Sequence, residues 1–437
     1  MDYKKGRLNA IYAGYFGQLV TLATQIVSLP IMLTVWDPKK VGLWFVISAI
    51  PTYFTLADFG MTSTAGNELT FQVAQSKAKE AISTFQKMLG LSSAITSLVV
   101  SISATTLFIL TFCGLVPVEQ CLTMILLIGT VLAAQIGSTF ESLLRATSRI
   151  DQSLWVSGLA RLLEWSGLIG GLIVFRNYLG AASGAFTLRF GALLLTALLA
   201  KSGMGREFSL VPDYRFAGSF KKLLPASLGG FAYTISSAMS LQGTIMLVAA
   251  FLGPAAVTTF TAYRTIARSA VQFSSTASHA KWADFSIHFA SLRPHDFHET
   301  ARQAQKTNFA VFAFISLAVL CSGKFVFQYW TNDKILFSIP LILAFLLYGF
   351  TSSISITPRT AIFASNQQAA LGTKLVVVGV FSFGLVAIVG GVFHDLTLVV
   401  LSLCIGELVV YAYCRKCYLE TLLALVAYER TKGGASE

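Results

Sequence analysis

Long apolar stretches separated by short polar segments dominate the pattern of this chain. Many stretches run for about 20 residues or more, which as helices are long enough to cross roughly 30 Å of hydrocarbon. Strands of an outer-membrane barrel would instead alternate apolar and polar residues over about ten positions. The pattern therefore predicts an all-α polytopic membrane protein. Its transmembrane helices, about twelve by apolar length and helix breakers, are predicted at residues 9–35, 42–66, 87–112, 121–144, 153–175, 178–200, 223–250, 254–278, 307–330, 336–361, 369–392 and 396–416.

Composition supports the same class. Of the 437 residues, 55% are hydrophobic and only 12% are charged, whereas about a quarter are charged in a typical soluble protein. Such a chain has too little polar surface to coat a soluble globule. No soluble domain fits between the predicted spans. The longest connectors carry most of the charge and lie at residues 67–86, 201–222 and 279–306.

An internal repeat divides the predicted spans into two halves. The segments "KKGRLNAIYAGYF" and "KKLLPASLGGFAY" begin at residues 4 and 221, and each leads into a span. Six spans in each half return the chain to its starting side, so the halves are expected to be parallel repeats with a central cavity between the two six-helix lobes. Further matches occur at nearly the same separation, which is about half of the chain length. They pair Pro38 with Pro254, Val41 with Val257 and Lys87 with Lys306.

The repeat sets the predicted domain boundaries. We expect an N-terminal lobe at residues 1–202, a cytoplasmic linker at 203–222, a C-terminal lobe at 223–418 and a cytoplasmic tail at 419–437.

Lys and Arg are distributed unevenly between the two sides of the predicted topology. The side that holds the N-terminus has 23 of the 32 cationic residues, and the opposite side has four. The positive-inside rule then predicts a multi-pass protein of the bacterial inner membrane with both termini in the cytoplasm. The net charge of +12 mostly reflects this topology, so no nucleic-acid partner is expected.

Two arginines of the segment "FTAYRTIARSAVQF" lie inside the eighth predicted span. An ionised side chain facing lipid at mid-membrane costs at least ~2.5 to 3.5 kcal/mol, so Arg264 and Arg268 should face the protein interior. Their i, i+4 spacing places them on one helix face, where they can donate to one anionic group. The alternative is a structural ion pair with an acid on a neighbouring helix.

The other charged residues within spans are candidates for substrate contact or charge balance. Arg161 has Glu164 one turn away, which favours a local pair, although Arg161 can still reach the cavity. Glu141 and Arg145 have the same kind of spacing. Arg189 and Lys324 have no acid within one turn and are better candidates for substrate contact, with Lys324 alternatively extending to the outer surface.

Asp58 lies in the second span, which is the repeat counterpart of the eighth. A lone intramembrane acid can bind a coupling cation or proton, or balance an interior arginine. The excess of intramembrane cations over acids favours charge balance, the role we also assign to Glu164.

The segment "LPIMLTVWDPKKVGLWFVISAIPTYFTLADFGMTSTAGNEL" at residues 29–69 resembles the first helix pair of the Wzx-type polysaccharide flippases. The shared features are a Pro near the end of the first helix, a "GLW" entry to the second helix and a "DFG" before a small-residue stretch. The resemblance implies the superfamily that also holds multidrug antiporters and lipid II flippases.

What the resemblance implies is translocation of an undecaprenyl-diphosphate-linked oligosaccharide from the cytoplasmic to the periplasmic leaflet by alternating access. That activity would serve polysaccharide, O-antigen and lipopolysaccharide biosynthesis, with a polysaccharide polymerase and a chain-length regulator as further partners. A wet, cationic passage suits the anionic headgroup, and the forked donors of Arg suit phosphate.

The alternative function is a cation-coupled multidrug antiporter of the same fold, which would need exposed acids for cationic drugs. An enzyme is not expected, because the outer connectors are short and lack paired carboxylates. The histidines of "HDFH" at residues 295–298 lack an accompanying cysteine, so no metal site and no cofactor is predicted.

Overall fold

The computed structural model describes residues 2–58, 61–202, 210–216, 231–232, 234–236, 238–365 and 367–433. Every secondary-structure element assigned within these ranges is a helix, which confirms the predicted all-α class. The first half of the chain contains α1 (Asp2–Val35), α2 (Pro38–Thr52), α3 (Met61–Ala74), α4 (Ala78–Phe112), α5 (Val118–Ala146), α6 (Ile150–Phe175) and α7 (Tyr178–Ser202).

The second half begins its described helices with a single π-helical turn at Met239–Gly243. The helices that follow are α8 (Thr244–Leu252), α9 (Pro254–Ala280), α10 (Trp282–Ala290), α11 (Pro294–Trp330), α12 (Ile339–Ala364), α13 (Gln368–Phe393) and α14 (Leu396–Gly433).

Ten segments in the described part of the chain are helices long and apolar enough to cross a membrane. Of the twelve predicted spans, the second and the eighth are not both long enough and apolar enough. The second is broken, because α2 ends at Thr52 and a 3-10 turn occupies Tyr53–Asp58 before α3 begins. The eighth is the continuous helix α9, whose 27 residues would extend about 40 Å. Serine, threonine and the two arginines lower its apolarity, so it is long enough but polar.

Several helices continue beyond the predicted spans at their basic ends. Helix α4 begins at Ala78 and not near residue 87, and α11 begins at Pro294 and not near residue 307. Helix α14 continues to Gly433, through most of the predicted cytoplasmic tail. Apolar length reports where hydrocarbon ends, whereas backbone hydrogen bonding continues a helix into water wherever the residues permit.

The chain forms two compact units, in agreement with the predicted two-lobe architecture. One unit comprises Met1–Asp37 and Trp44–Phe231, and the other comprises Pro38–Leu43 and Ala232–Glu437. The exact domain boundaries proposed from the sequence remain predictions.

Unusual backbone conformations recur at the repeat spacing. Non-glycine residues seldom have positive φ, and those that do often end a helix. Arg176 ends α6 with φ 57°, and His394 ends α13 at the equivalent place in the second half with φ 49°. Two further pairs of positive-φ residues recur at nearly the same separation, namely Ser76 with Leu292 and Gly114 with Asn332. The two halves therefore share their turns as well as their helix order.

A buried polar contact recurs in the same way. In the first unit, the Ser92 and Thr139 hydroxyls lie 3.2 Å apart and join α4 to α5. In the second unit, the Asn308 amide donates to the Thr357 hydroxyl at 3.0 Å and joins α11 to α12. Asn308 corresponds to Ser92 and Thr357 to Thr139 at almost the repeat spacing. The internal repeat is therefore visible in individual side-chain contacts.

Glycines bring α6 and α7 into backbone contact. A Cβ atom at Gly167 would lie 2.1 Å from the carbonyl oxygen of Gly184, and one at Gly171 would lie 2.0 Å from that of Gly180. Both helices carry the pair at i, i+4, the small-residue spacing by which membrane helices approach closely. This close approach brings Glu164 of α6 and Arg189 of α7 within reach of each other.

We expect Gly167→Val to destabilise the protein by about 1–3 kcal/mol or more, because the added carbons overlap the backbone of α7. Gly170→Val is the matched control, since nothing lies within 4 Å of a Cβ atom at that position. Thermal unfolding of the two purified variants in detergent measures the difference. Equal melting temperatures would contradict the close approach of the two helices.

Candidate functional site

A polar cavity of about 290 Å³ lies inside the second unit. Helices α9, α12 and α14 supply most of its wall, and Leu241 of the π-helical turn and Leu375 of α13 contribute to it. The ionisable residues that line it are Arg264, Arg268, His279, Tyr348, Arg359 and Glu407.

Arg264 is anchored at one side of this cavity. Its Nη1 donates a hydrogen bond to the carbonyl oxygen of Leu241 at 2.9 Å. Its guanidinium carbon lies 5.1 Å from the centroid of the Phe260 ring, within the range of a cation–π interaction. Guanidinium has five N–H donors, so further donors of Arg264 remain available to the cavity.

Arg268 follows one turn later on α9 and lines the same cavity, as the i, i+4 spacing predicts. Its side chain is exposed, and no hydrogen bond or ion pair reaches it from the described residues. Arg264 is thus held by two contacts, whereas the exposed Arg268 side chain has no hydrogen bond or ion pair among the described residues. Together they present two sets of guanidinium donors to one space.

Arg359 is a lining residue that the sequence reasoning missed. Its place near the basic end of the predicted span at residues 336–361 favours the cytoplasmic surface, but it lines the cavity from α12. Glu407 of α14 accepts a hydrogen bond from Ser352 and interacts electrostatically with Arg359. Three guanidinium groups therefore share the cavity with one carboxylate, and the balance of charge among the lining residues is positive. The one sequence signal for Arg359 was its position close to the predicted end of an apolar span.

Uncharged polar groups complete the lining. Gln272 of α9 has a buried side-chain carbonyl oxygen with no hydrogen-bond partner in the described part of the chain. Four serines also line the cavity, namely Ser236, Ser240, Ser275 and Ser352. The cavity therefore combines donors for an anion with hydroxyl and amide groups suited to a hydroxyl-rich ligand.

The first unit holds a cross-helix ion pair. Nη1 of Arg189 on α7 lies 3.4 Å from Oε2 of Glu164 on α6, and the Arg189 side chain is only 10% exposed. The sequence spacing instead predicts a local pair of Glu164 with Arg161, and it places no acid within one helical turn of Arg189. Glu164 makes its ion pair with Arg189 and interacts with Arg161 more weakly, because the glycine contacts bring α7 close enough to α6 for Arg189 to reach Glu164.

Arg161 is exposed and bonds to hydroxyl groups. Its Nη1 donates to Thr21 Oγ1 on α1 at 2.8 Å, and its Nη2 lies 3.5 Å from Ser157 Oγ. The other local pair predicted from the sequence does form, with Arg145 Nη1 3.9 Å from Glu141 Oε2.

The remaining predicted site residues are not brought to the cavity. Lys324 is exposed on α11 and is not among the lining residues. Asp58 ends the 3-10 turn after α2, but its side chain lies outside the described residues. The described residues contain no group of three His, Cys, Asp or Glu side chains arranged to hold a metal ion.

Comparison with known proteins identifies the fold. No family model and no curated protein matches this chain. Solved structures do match. An inward-facing multidrug resistance MATE family transporter of the MOP superfamily aligns with a TM-score of 0.66 at 14% identity, covering 95% of this chain and 96% of the other.

Two further structures give the same result. A Vibrio cholerae MATE transporter aligns with a TM-score of 0.58 at 13% identity, covering 96% of this chain and 98% of the other. A MATE protein in complex with MaD3S aligns with a TM-score of 0.58 at 15% identity, covering 97% of each chain. At these identities the likeness shows the fold, which is that of MATE transporters over almost the whole chain.

The Glu164–Arg189 pair gives a direct test of cross-helix packing. We expect Glu164→Gln to destabilise the protein by about 1–3 kcal/mol, since it leaves the largely buried Arg189 without its charged partner. Arg161→Gln should cost less, because Arg161 is exposed and its side-chain hydrogen bonds go to hydroxyl groups. Thermal unfolding in detergent compares them, and a larger loss from Arg161→Gln would favour the pairing expected from the sequence.

Proposed function

We propose that this protein translocates an undecaprenyl-diphosphate-linked oligosaccharide from the cytoplasmic to the periplasmic leaflet of the bacterial inner membrane. The oligosaccharide lipid would cross the membrane by alternating access on the MATE fold. After translocation it would be used in the assembly of polysaccharides such as O-antigen and lipopolysaccharide. A polysaccharide polymerase and a chain-length regulator would be its partners.

The observation that carries this proposal is the excess of arginine in the cavity. Arg264, Arg268 and Arg359 share the space with one acid, Glu407. A diphosphate cannot enter hydrocarbon without losing strong hydration, so its passage needs donors that replace water. Guanidinium provides two parallel N–H donors that match phosphate oxygens. A cationic cavity is poorly suited to cationic drugs.

The cavity is small for a whole oligosaccharide. Its volume of about 290 Å³ lies at the lower limit of pockets for drug-sized ligands, which begin at ~300 Å³. We therefore assign the diphosphate to the arginines and the adjoining sugar to the serines and Gln272. The remaining candidate residues, Arg161, Arg189 and Lys324, are not among the lining residues of this cavity, and their contact with substrate is a weaker part of the proposal.

A cation-coupled multidrug antiporter is the second candidate function. One structurally similar protein is described as a multidrug resistance transporter. Glu407 would offer a cationic ligand one carboxylate within the cavity. On this alternative, Asp58 would be a coupling site and would not balance charge.

We expect Arg264→Ala or Arg268→Ala to lower lipid-linked oligosaccharide translocation about tenfold or more, because each removes charge-assisted hydrogen bonds worth ~1.5–3 kcal/mol. Lys at either position should rescue only in part, since a point charge lacks the forked geometry. The assay follows the access of an impermeant lectin to labelled lipid in proteoliposomes.

Lys281→Ala is the control for that series, since Lys281 follows α9 and pairs with Asp284 at the surface. It should translocate like the wild type. Unchanged activity of the Arg264→Ala, Arg268→Ala double variant would remove the cavity from the transport pathway.

Asp58→Asn separates charge balance from ion coupling. We expect the variant to bind the lipid-linked substrate and to keep its response to a proton or sodium gradient, with altered turnover. The amide cannot exchange a proton or offer an ion its charge, so a lost gradient response with binding intact would assign coupling to Asp58. Gradient-driven export of a cationic dye by the wild type would favour the antiporter.

A further inference from the structure

A second depression in the same unit lies between α11, α12 and α14, and we call it the basic groove. Its volume is about 550 Å³. Cationic residues line one part of it, and no Asp or Glu is among its lining residues. These cationic residues are Arg302, Lys306 and Arg415, and His298 lies beside them.

Apolar side chains line another part of the groove, which is open to the surroundings. Phe309 is 55% exposed and Leu419 is 41% exposed, and both line the groove beside Ile354 and Pro358. Pro358 lies inside α12 and has no backbone N–H, so the Ile354 carbonyl loses its usual helical donor. The groove thus combines cationic and apolar side chains in its lining.

The depth of the groove matches a membrane interface. Lys306 precedes the end of α11 at Trp330 by 24 residues, which is about 36 Å of helix against roughly 30 Å of hydrocarbon. Phe309 is about 31 Å from the same end by the same measure. On α14, Arg415 follows Leu396 by 19 residues, or about 29 Å. Lys306 therefore lies just beyond the hydrocarbon, and Phe309 and Arg415 lie near its edge.

Hydrogen bonds preorganise the groove without neutralising it. Nη1 of Arg415 bonds to the Tyr411 hydroxyl at 3.3 Å, and Nδ1 of His298 lies 3.0 Å from the Tyr418 hydroxyl. Arg302 has an acidic partner, Glu299 at 3.6 Å, and its side chain stays 60% exposed. Charge, depth and apolar continuation all match one kind of molecule, which has an anionic headgroup joined to acyl chains.

We propose that the basic groove binds one anionic glycerophospholipid of the surrounding bilayer. The phosphate meets Lys306, Arg415 and Arg302, and an acyl chain lies along Phe309 and Ile354. The site is separate from the polar cavity and does not depend on which substrate is transported. A volume of about 550 Å³ suits a headgroup with the upper part of its chains, within the ~300–1,000 Å³ range of small-molecule pockets.

The test uses the delipidated full chain in a neutral detergent. Native mass spectrometry and thermal unfolding are measured with phosphatidylglycerol and with phosphatidylcholine of identical acyl chains. We expect phosphatidylglycerol to bind and to raise the melting temperature, and phosphatidylcholine to do neither. The Lys306→Gln, Arg415→Gln double variant should lose about thirtyfold in phosphatidylglycerol affinity, since each basic residue near an anionic headgroup contributes about fivefold.

Arg293→Gln with Lys416→Gln is the matched control. It removes the same charge from α14 and from the start of α11, at exposed positions outside the groove. This control should keep wild-type phosphatidylglycerol affinity. An equal loss in the control, or equal binding of phosphatidylcholine, would overturn the proposal.

Two further ligands identify the occupant. Inorganic phosphate should not displace phosphatidylglycerol, because it lacks the acyl chains, and displacement at millimolar phosphate would mean a free-anion site. Undecaprenyl diphosphate should compete no better than phosphatidylglycerol. Much tighter binding of undecaprenyl diphosphate would make the groove a substrate site and overturn the assignment to a bilayer phospholipid.

Discussion

The cost of placing a guanidinium group within the membrane is the constraint on which the polar cavity and the Glu164–Arg189 pair depend. Every such group must find hydrogen-bond acceptors, a counter-charge or a polar space. Arg189 meets this requirement through Glu164, and the pair forms because four glycines let α6 and α7 approach closely. Arg264 meets it through a backbone carbonyl of the π-helical turn and through an aromatic ring. In each case the local backbone geometry lowers the free-energy cost of the charged side chain within the membrane.

The sequence predicted features that depend on local spacing. The helical class, most spans, the internal repeat and the Glu141–Arg145 pair all follow from patterns within one or two turns or at one fixed offset. The Glu164–Arg189 pair joins two helices, so it depends on how closely they pack, which residue spacing does not report. Arg359 was missed for a related reason, because its position near the end of a span does not reveal which side of α12 it occupies.

Helix α12 links the principal features of the second unit. Ser353 and Thr357 form hydroxyl contacts with Ser274 and Ser278 of α9, at 3.2 and 2.8 Å. Arg359 and Ser352 face the polar cavity, whereas Ile354 and Pro358 face the basic groove. Helix α12 therefore separates the polar cavity from the basic groove.

The shared turns of the two halves are the trace that duplication and fusion of a six-helix ancestor would leave. An ancestor that worked as a pair of identical chains would have carried each charge twice. In the present chain, Ser48 and Thr52 occupy the positions in the first half that correspond by the repeat spacing to Arg264 and Arg268. Fusion releases the two halves from identical composition, so one half can concentrate positive charge while its counterpart stays uncharged at the same positions. A functional asymmetry of this kind is open to a single covalent chain and closed to a homodimer.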